Sequence, residues 1–157
     1  MSNRREVRER VMQALYAHEL AGDSPEQYID GMLRPQFEGD KVSFAFATRL
    51  FLRTLEAETE TEAIISRHTK NWNFDRIALI DRLVLKMGIT EMLSFEDIPP
   101  KVSINEAIEV AKKYSTNKSG KFVNGILDAA LLELQKEGRL KKSGRGLVGM
   151  DKMRANP

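Results

Sequence analysis

The chain has 157 residues, 41% of them hydrophobic and 31% charged, which indicates one ordinary globular domain with enough apolar residues to form a core. It contains no cysteine, which excludes disulfides, zinc–thiolate sites and cysteine nucleophiles and suits a reducing compartment. No apolar run approaches the roughly 20 residues of a membrane span, and the Arg/Glu-rich start lacks the apolar centre of a signal peptide. We therefore expect a cytoplasmic protein without membrane association.

The net charge of +2 is distributed unevenly along the chain. Residues 139–157 hold six cationic residues and one carboxylate, a net charge of +5, so residues 1–138 carry −3. Together with several glycines after residue 137, this predicts a single helical domain over residues 1–138 and a basic, disordered tail over residues 139–157. Basic termini on a nearly neutral domain favour an anionic partner, and nucleic acid is the first candidate. Simple solvation of the terminal charges is an equally good explanation for the tail.

Apolar residues recur at helical spacing along most of the chain, and no segment shows the alternation of a strand. A first helix is expected over about residues 3–21, and the turn residues 22–25 end it and start a short second helix. A long periodic segment then follows Gly39 and extends to about residue 68, with a break near residues 59–61. This part of the chain therefore predicts a succession of helices.

The segment from Asp75 to Phe95 is the most apolar part of the sequence. Its apolar residues fall on nearly all sides of the predicted helix, which indicates a central helix that is buried on most sides. Pro99 and Pro100 end it, and Ser103 and Glu106 have the spacing of a capping box at the start of the next helix. With a last helix over about residues 119–136, the sequence predicts an all-α fold, a compact bundle of about seven helices without internal repeats.

Few residues are candidates for catalysis. His18 lies on the apolar stripe of the first helix, which favours a packed histidine over a catalytic one, and His68 lies at a helix end without metal-ligand spacing. Asp81 and Glu91 lie ten residues apart on the central helix, about 15 Å along its axis, which is too far for a glycosidase-type carboxylate pair. We therefore expect no enzymatic activity, no catalytic residue, no metal site and no cofactor.

The start of the first helix is a candidate binding surface for a polyanion. Four arginines lie between residues 4 and 10, and on a helical wheel Tyr16 falls near Arg5 and Met12, away from the apolar stripe. An exposed tyrosine beside arginine is suited to stacking on a base, with phosphate contacts next to it. Alternatively, Tyr16 and Leu20 pack beneath a neighbouring helix, and the sequence favours neither interpretation.

A second candidate surface lies at the start of the last helix, where Lys118, Gly120 and Lys121 precede Phe122. The lysines and the free N–H groups of a helix start would hold phosphate, and Phe122, at the edge of the core, offers a ring to a base. The alternative is that Phe122 only closes the loop.

Asp81 raises a separate question, because its neighbours on the helical wheel are apolar and a buried carboxylate needs a partner. Either an internal arginine, such as Arg76 or Arg82, or a residue of another protein would satisfy it.

Three segments of the sequence resemble the NusB family of bacterial transcription antitermination factors. They are RREVRERVMQALY near the start, DRIALIDRLVLKMGITEML in the middle and IPPKVSINEAIEVAKKYSTNKSGKFVNGILD near the end. They occur in the order of the family, and the resemblance covers most of residues 4–133. The resemblance implies an all-α fold of two small helical subdomains without enzymatic activity.

Members of this family bind a boxA element in nascent, single-stranded RNA together with NusE, which is also a protein of the small ribosomal subunit. The resemblance implies that this pair joins RNA polymerase and other Nus factors and suppresses premature termination, chiefly in ribosomal RNA operons. By position, it implies that Asp81 faces NusE. It also implies RNA-binding roles for Arg4, Arg5, Arg8, Tyr16, Lys121 and Phe122.

Lys118 extends this set of RNA-binding candidates and departs from the family pattern. Relatives often carry an acidic residue at this loop position, so we expect this chain to hold RNA more tightly or less selectively. The resemblance allows a monomer or a homodimer.

Two other functions remain open on the sequence alone. A protein-only helical adaptor would contact no RNA. A similar helical domain also occurs as an accessory module fused to ribosomal RNA cytosine methyltransferases, but those proteins carry a methyl-donor domain and a catalytic cysteine, for which this chain has no room.

Overall fold

The computed structural model describes residues 3–69 and 74–150, and every regular element within these ranges is helical. The chain divides into two compact units, residues 1–58 and 59–157. The described ranges contain seven helices, labelled α1–α7 below, and two short 3₁₀-helices. The prediction of an all-α fold of about seven helices in two small subdomains is therefore confirmed.

The first unit consists of three helical segments. Helix α1 is Arg4–Ala21, and the Asn3 side chain caps it by accepting a hydrogen bond from the Glu6 N–H at 2.8 Å. The α2 segment, residues 25–36, comprises Pro25–Tyr28, a π-helical part Ile29–Leu33 and Arg34–Gln36. Helix α3 is Lys41–Glu56. The apolar stripe of α1 packs against α3, and the unit buries Val7, Val11, Leu15, Leu33 and Phe51.

His18 belongs to an aromatic cluster inside the first unit. Its ring is half-buried and lies edge-on to Tyr28 and Phe51, with centroid distances of 5.3 Å and 6.3 Å. The Tyr28 hydroxyl donates a hydrogen bond to the Gly22 carbonyl at 2.7 Å, which fixes the chain at the end of α1. These contacts agree with the interpretation of His18 as a packed residue.

The second unit is built around one buried helix. Helix α4 is Glu58–Arg67, α5 is Leu79–Ser94, α6 is Pro100–Tyr114 and α7 is Ser119–Lys136; Phe74–Arg76 and Gly144–Leu147 form the 3₁₀-helices. Every residue from Leu83 to Met92 is buried, because α5 packs against both α6 and α7. The predicted central helix is therefore present.

Glu133 connects the end of α4 to α7 in the second unit. Arg67 at the end of α4 pairs with Glu133 of α7 at 2.6 Å, and His68 Nε2 lies 2.9 Å from the same carboxylate. The hydrogen bond from Arg67, followed by that from His68, lowers the pKa of Glu133 against the opposing effect of burial.

The predicted capping box at the start of α6 is wrong. Helix α6 begins at Pro100, four residues earlier than that pattern implied, so Ser103 lies inside its first turn. The buried Ser103 hydroxyl instead donates a hydrogen bond to Glu91 Oε1 at 2.8 Å. Proline is favoured as the first residue of a helix, so α6 can begin at Pro100 without a capping side chain. The spacing of Ser103 and Glu106 was therefore misleading.

Residues 139–150, expected as part of a disordered tail, follow a described path along the second unit; residues 151–157 lie outside the described residues. Lys142 Nζ donates hydrogen bonds to the carbonyls of Glu91 and Phe95, at 3.0 Å and 2.7 Å, and so caps the end of α5. Gly146 lies against the Glu96 carbonyl so closely that a Cβ would collide with it, and Met150 is buried. These contacts give the first part of the basic segment a structural role.

Replacing Gly88 with alanine is expected to destabilise the protein by about 1–3 kcal/mol. The added methyl group would lie 3.1 Å from Leu127 Cδ1, and Leu127 is fully buried with little room to yield. Gly125→Ala is the matched control, because no atom lies within 4 Å of the added group; it should be neutral or stabilising by up to about 1 kcal/mol. Urea unfolding measures both variants, and equal free energies of unfolding would contradict the close packing of α5 on α7.

Lys142 generates a prediction about pH. Burial lowers the pKa of Lys142 from 10.5 to about 8, although the neighbouring acidic residues Glu91, Asp97 and Glu96 oppose this shift. The unfolded chain therefore binds more protons than the folded chain between about pH 8 and pH 10.5, so this group makes folding more favourable as the pH rises through that window. The free energy of unfolding of the wild type, relative to Lys142→Met, should increase across it in urea titrations. A constant or falling difference would contradict the buried position of the ammonium group.

Candidate functional site

The arginines at the start of α1 occupy different environments. Arg4 and Arg5 are exposed, whereas Arg8 is only 4% exposed. The guanidinium carbons of Arg4 and Arg8 lie 3.8 Å and 5.5 Å from the centroid of the Phe46 ring, so both stack on the same buried aromatic side chain. Arg4 and Arg5 are accessible to a polyanion because both are exposed, although Arg4 also stacks on Phe46. The expected RNA contact of Arg8 stays a prediction, and its side chain is buried in the same stack.

Tyr16 lies on an open part of α1. Tyr16 is 38% exposed and Leu20 66% exposed, so the alternative in which these two residues pack beneath a neighbouring helix is wrong. Met12, expected on the same open face, is buried. The ring of Tyr16 is thus accessible, as base stacking would require, whereas Met12, one turn earlier on α1, is covered by other residues.

The loop before α7 presents its charged residues to solvent. Lys118 and Lys121 are exposed, and Phe122 is half-buried beside them. Gly120 allows the first turn of α7 to approach α6, because a Cβ there would lie 2.9 Å from Lys112 Cγ. Lys121 and Phe122 therefore lie in the first turn of α7, and Lys118 is its N-cap residue.

Asp81 lies beneath this loop, and its partner was not predicted. The side chain is 8% exposed, and the buried Ser119 hydroxyl donates a hydrogen bond to Asp81 Oδ2 at 3.0 Å. The expectation of an arginine partner is wrong, because Arg82 approaches Asp75 instead, at 4.0 Å. Ser119 Oγ also accepts from the Thr116 N–H at 3.3 Å, so the hydroxyl joins the central helix to the loop.

A pocket of about 310 Å³ brings together three of the eight predicted site residues. Asp81, the candidate NusE contact, forms part of its wall, and Lys118 and Phe122, candidate RNA contacts, also line it. The other lining residues are Arg76, Ile77, Ala78, Thr116 and Ser119. Sequence reasoning missed Thr116 and Ser119; the only signal for them was the run of hydroxyl residues in YSTNKS.

The first unit contains a separate pocket of about 450 Å³ that no sequence pattern indicated. Arg34 lies beside it and is held by Asp30 at 3.0 Å, with its guanidinium carbon 4.7 Å from the centroid of the Phe44 ring. The lining residues are Arg34, Pro35, Phe37, Glu38, Gly39, Lys41 and Phe44.

The described residues form neither a metal site nor a membrane-spanning helix. No group of three or more histidine or acidic side chains in these ranges has an arrangement that could hold a metal ion. None of the helices described combines the length and apolar character that a membrane crossing needs. The fold and the site thus define a class: an all-α protein with a basic pocket that is edged by an aromatic ring.

Comparison with known proteins identifies the family within this class. The model of the NusB family matches residues 5–131. The transcription antitermination protein NusB of Salinibacter ruber is 51% identical over 151 residues, which cover 96% of this chain and 94% of that protein. The chain belongs to the NusB family.

Solved structures agree with this assignment. A structure of T. maritima NusB superposes with a TM-score of 0.77 at 38% identity, covering 84% of this chain and 92% of that one. A crystal structure of the antitermination factors NusB and NusE in complex with double-stranded RNA contains a chain that superposes with a TM-score of 0.75 at 25% identity; the match covers 83% of this chain and 96% of that one.

Proposed function

We propose that this chain is a transcription antitermination factor that binds boxA RNA of nascent transcripts together with NusE and acts on the RNA polymerase elongation complex with other Nus factors. Family membership is the observation that carries the proposal, since the Salinibacter ruber relative, which bears that name, aligns over nearly the whole length of both chains. The protein works in the cytoplasm, as a monomer or homodimer, and without catalysis.

The pocket beneath α7 and the start of α1 support the RNA-binding part of the proposal. Exposed Lys118 and Lys121 and the exposed Arg4 and Arg5 supply cations for phosphate groups, which gives affinity with a steep dependence on salt. Tyr16 and Phe122 supply accessible rings for unpaired bases, which gives contacts that duplex RNA cannot make.

The solved complex of NusB, NusE and double-stranded RNA supports a NusE partner for this chain, because one of its chains shares this fold. NusE would dock around α5 close to Asp81, where it would extend the RNA-binding surface. Since Asp81 itself is only 8% exposed, the residues at the rim of its pocket, including the exposed Arg76, would make most of that contact.

A titration of labelled RNA tests the proposal. Single-stranded boxA RNA, a scrambled strand and a boxA duplex are each titrated with the full chain, with and without NusE, at two salt concentrations. Tighter binding of single-stranded boxA that NusE enhances is expected. Equal binding of all three RNAs would reduce the interaction to general charge attraction, and no RNA binding at either salt concentration would favour the protein-only adaptor.

Phe122→Ala should weaken the binding of boxA RNA by about 1–3 kcal/mol, because stacking of one base on an aromatic ring contributes that much. Phe44→Ala is the matched control, since Phe44 is also half-buried beside a cation but lies at the separate pocket of the first unit. Fluorescence anisotropy measures both affinities, and circular dichroism checks that both variants are folded. A folded Phe122→Ala variant with the affinity of the wild type would refute the stacking role.

A further inference from the structure

The pocket beside Arg34 in the first unit is not part of the proposed RNA-binding surface. Its volume of about 450 Å³ lies within the range of ligand sites, roughly 300–1,000 Å³. Its lining residues all fall between positions 34 and 44, at the end of the α2 segment and the start of α3. The pocket therefore lies within one compact unit and is distinct from the pocket beneath α7.

Three of the lining residues give this pocket an apolar part. Phe37 is only 2% exposed, and Pro35 and the half-buried Phe44 lie beside it in the lining. An apolar or aromatic side chain of a ligand would be buried against these residues, and burial of that kind of surface is favourable. The pocket is thus suited to one apolar group.

Arg34 is oriented at the edge of the pocket by two contacts. Its Nε and Nη2 donate hydrogen bonds to Asp30 Oδ1 at 3.2 Å and 3.0 Å, and its guanidinium carbon lies 4.7 Å from the centroid of the Phe44 ring. Nη1 has no hydrogen-bond partner among the residues that the structure describes, and the side chain is 62% exposed. The guanidinium group therefore keeps one edge for an acceptor, and a carboxylate is the acceptor that best matches its geometry.

The backbone that leads into Arg34 is a second indication of a site. Ile29–Leu33 is π-helical, and the Arg34 N–H closes this turn by bonding to the Ile29 carbonyl, five residues earlier. Pro35 follows and has no N–H with which to continue a regular helix. Turns of the π type are rare and occur frequently at functional sites. The residue that lines the pocket is thus carried by an uncommon turn.

The charges around the pocket favour a peptide over a nucleic acid. Lys41 supplies a second cation, which is exposed and forms no salt bridge with any residue in the described ranges. The carboxylates of Asp30 and Glu38 balance Arg34 and Lys41, so these four side chains together carry no net charge. Attraction of a polyanion depends on cations in excess, which this pocket lacks. A peptide with one carboxylate next to an apolar side chain matches both parts of the lining.

We propose that the pocket beside Arg34 is a docking site for a protein segment that carries an apolar or aromatic side chain next to an aspartate or glutamate. The apolar side chain packs against Pro35, Phe37 and Phe44. The carboxylate pairs with Arg34 Nη1 and with Lys41.

The inference rests on the proposed function, which requires the chain to act on the elongation complex. NusE is proposed to dock around α5 in the second unit, so the segment that occupies this pocket belongs to another protein of that complex. The pocket thereby gives the first unit a protein contact of its own.

Photo-crosslinking in the reconstituted complex tests the inference. The photoreactive residue p-benzoylphenylalanine replaces Glu38, which lines the pocket and is exposed. The full chain is assembled with NusE, boxA RNA, RNA polymerase and the other Nus factors, and mass spectrometry identifies the crosslinked peptide. The same replacement at Glu56, exposed at the other end of α3, is the matched control. Position 38 should crosslink to polymerase or another Nus factor beside an acidic and an apolar side chain, and position 56 should not crosslink to that segment.

Charge reversal at Arg34 then tests whether the carboxylate is recognised. Arg34→Glu should lower the crosslink yield at least about tenfold, because it places a carboxylate opposite that of the segment. Replacing the acidic residue of the segment with lysine should restore the yield. Arg53→Glu is the matched control, since Arg53 is also exposed and also pairs with a carboxylate of its own helix, Glu56 at 3.1 Å. It should keep the yield, and both variants should bind boxA RNA alike.

The outcomes separate this inference from the proposed function. If the wild type does not bind boxA RNA with NusE, the proposed function fails and the inference fails with it. If RNA binds but position 38 crosslinks to RNA, to NusE, to a second copy of the chain or to nothing, the docking site is overturned and the proposed function stands. A crosslink to another protein of the complex that Arg34→Glu leaves at full yield would also overturn it.

Discussion

The candidate site depends on the burial of α5. Every residue from Leu83 to Met92 is buried, and Gly88 lets Leu127 of α7 approach the α5 backbone. This close contact sets the position of α7 relative to α5, and hence places the first turn of α7 above Asp81. The Ser119–Asp81 hydrogen bond then ties that turn to the central helix. The first turn of α7, which carries the candidate RNA contacts Lys121 and Phe122 and follows Lys118, is thereby attached to the most buried element of the second unit.

This arrangement separates the tasks of affinity and recognition. The cations Lys118, Lys121, Arg4 and Arg5 are exposed, so they would attract phosphate from a distance at little cost in desolvation. Phe122, the ring suited to stacking on a base, is more restricted because it is half-buried, and the turn that carries it is attached to Asp81 through Ser119. Restricting the recognising groups lowers the entropy lost when RNA binds, which is the usual advantage of a preorganised site.

The sequence predicted those features that depend on local pattern. The continuous apolar surface of residues 79–94 indicates a buried helix, and the spacing of lysine, glycine and phenylalanine before residue 123 indicates an exposed basic loop. Contacts between distant residues could not be predicted in this way. The Asp81–Ser119 hydrogen bond spans 38 positions, and the Lys142 contacts with α5 span about 50, so neither leaves a periodic signal.

Tertiary contacts involve two residues that the sequence analysis had assigned from local pattern: the capping role of Ser103 is wrong, and the RNA contact of Arg8 stays a prediction. The stacking of Arg8 on Phe46 hides a cation that a helical wheel would count as available, because the wheel contains no neighbouring helix. Ser103 donates a hydrogen bond to Glu91 and does not cap α6, because α6 begins at Pro100 and the N–H groups that Ser103 would cap already lie inside the helix. In both cases the tertiary contact overrides the local preference, and only the packed structure reveals it.

The central claim is that RNA binds at the loop held by α5, and nuclear magnetic resonance tests it most directly. The isotope-labelled full chain is titrated with single-stranded boxA RNA while the backbone amide signals are followed. The account predicts that the largest shifts occur at residues 116–124 and at Asp81, with further shifts at Arg4, Arg5 and Tyr16. Shifts confined to the pocket beside Arg34 and Phe44, or to residues 139–150, with the loop before α7 unchanged, would contradict it.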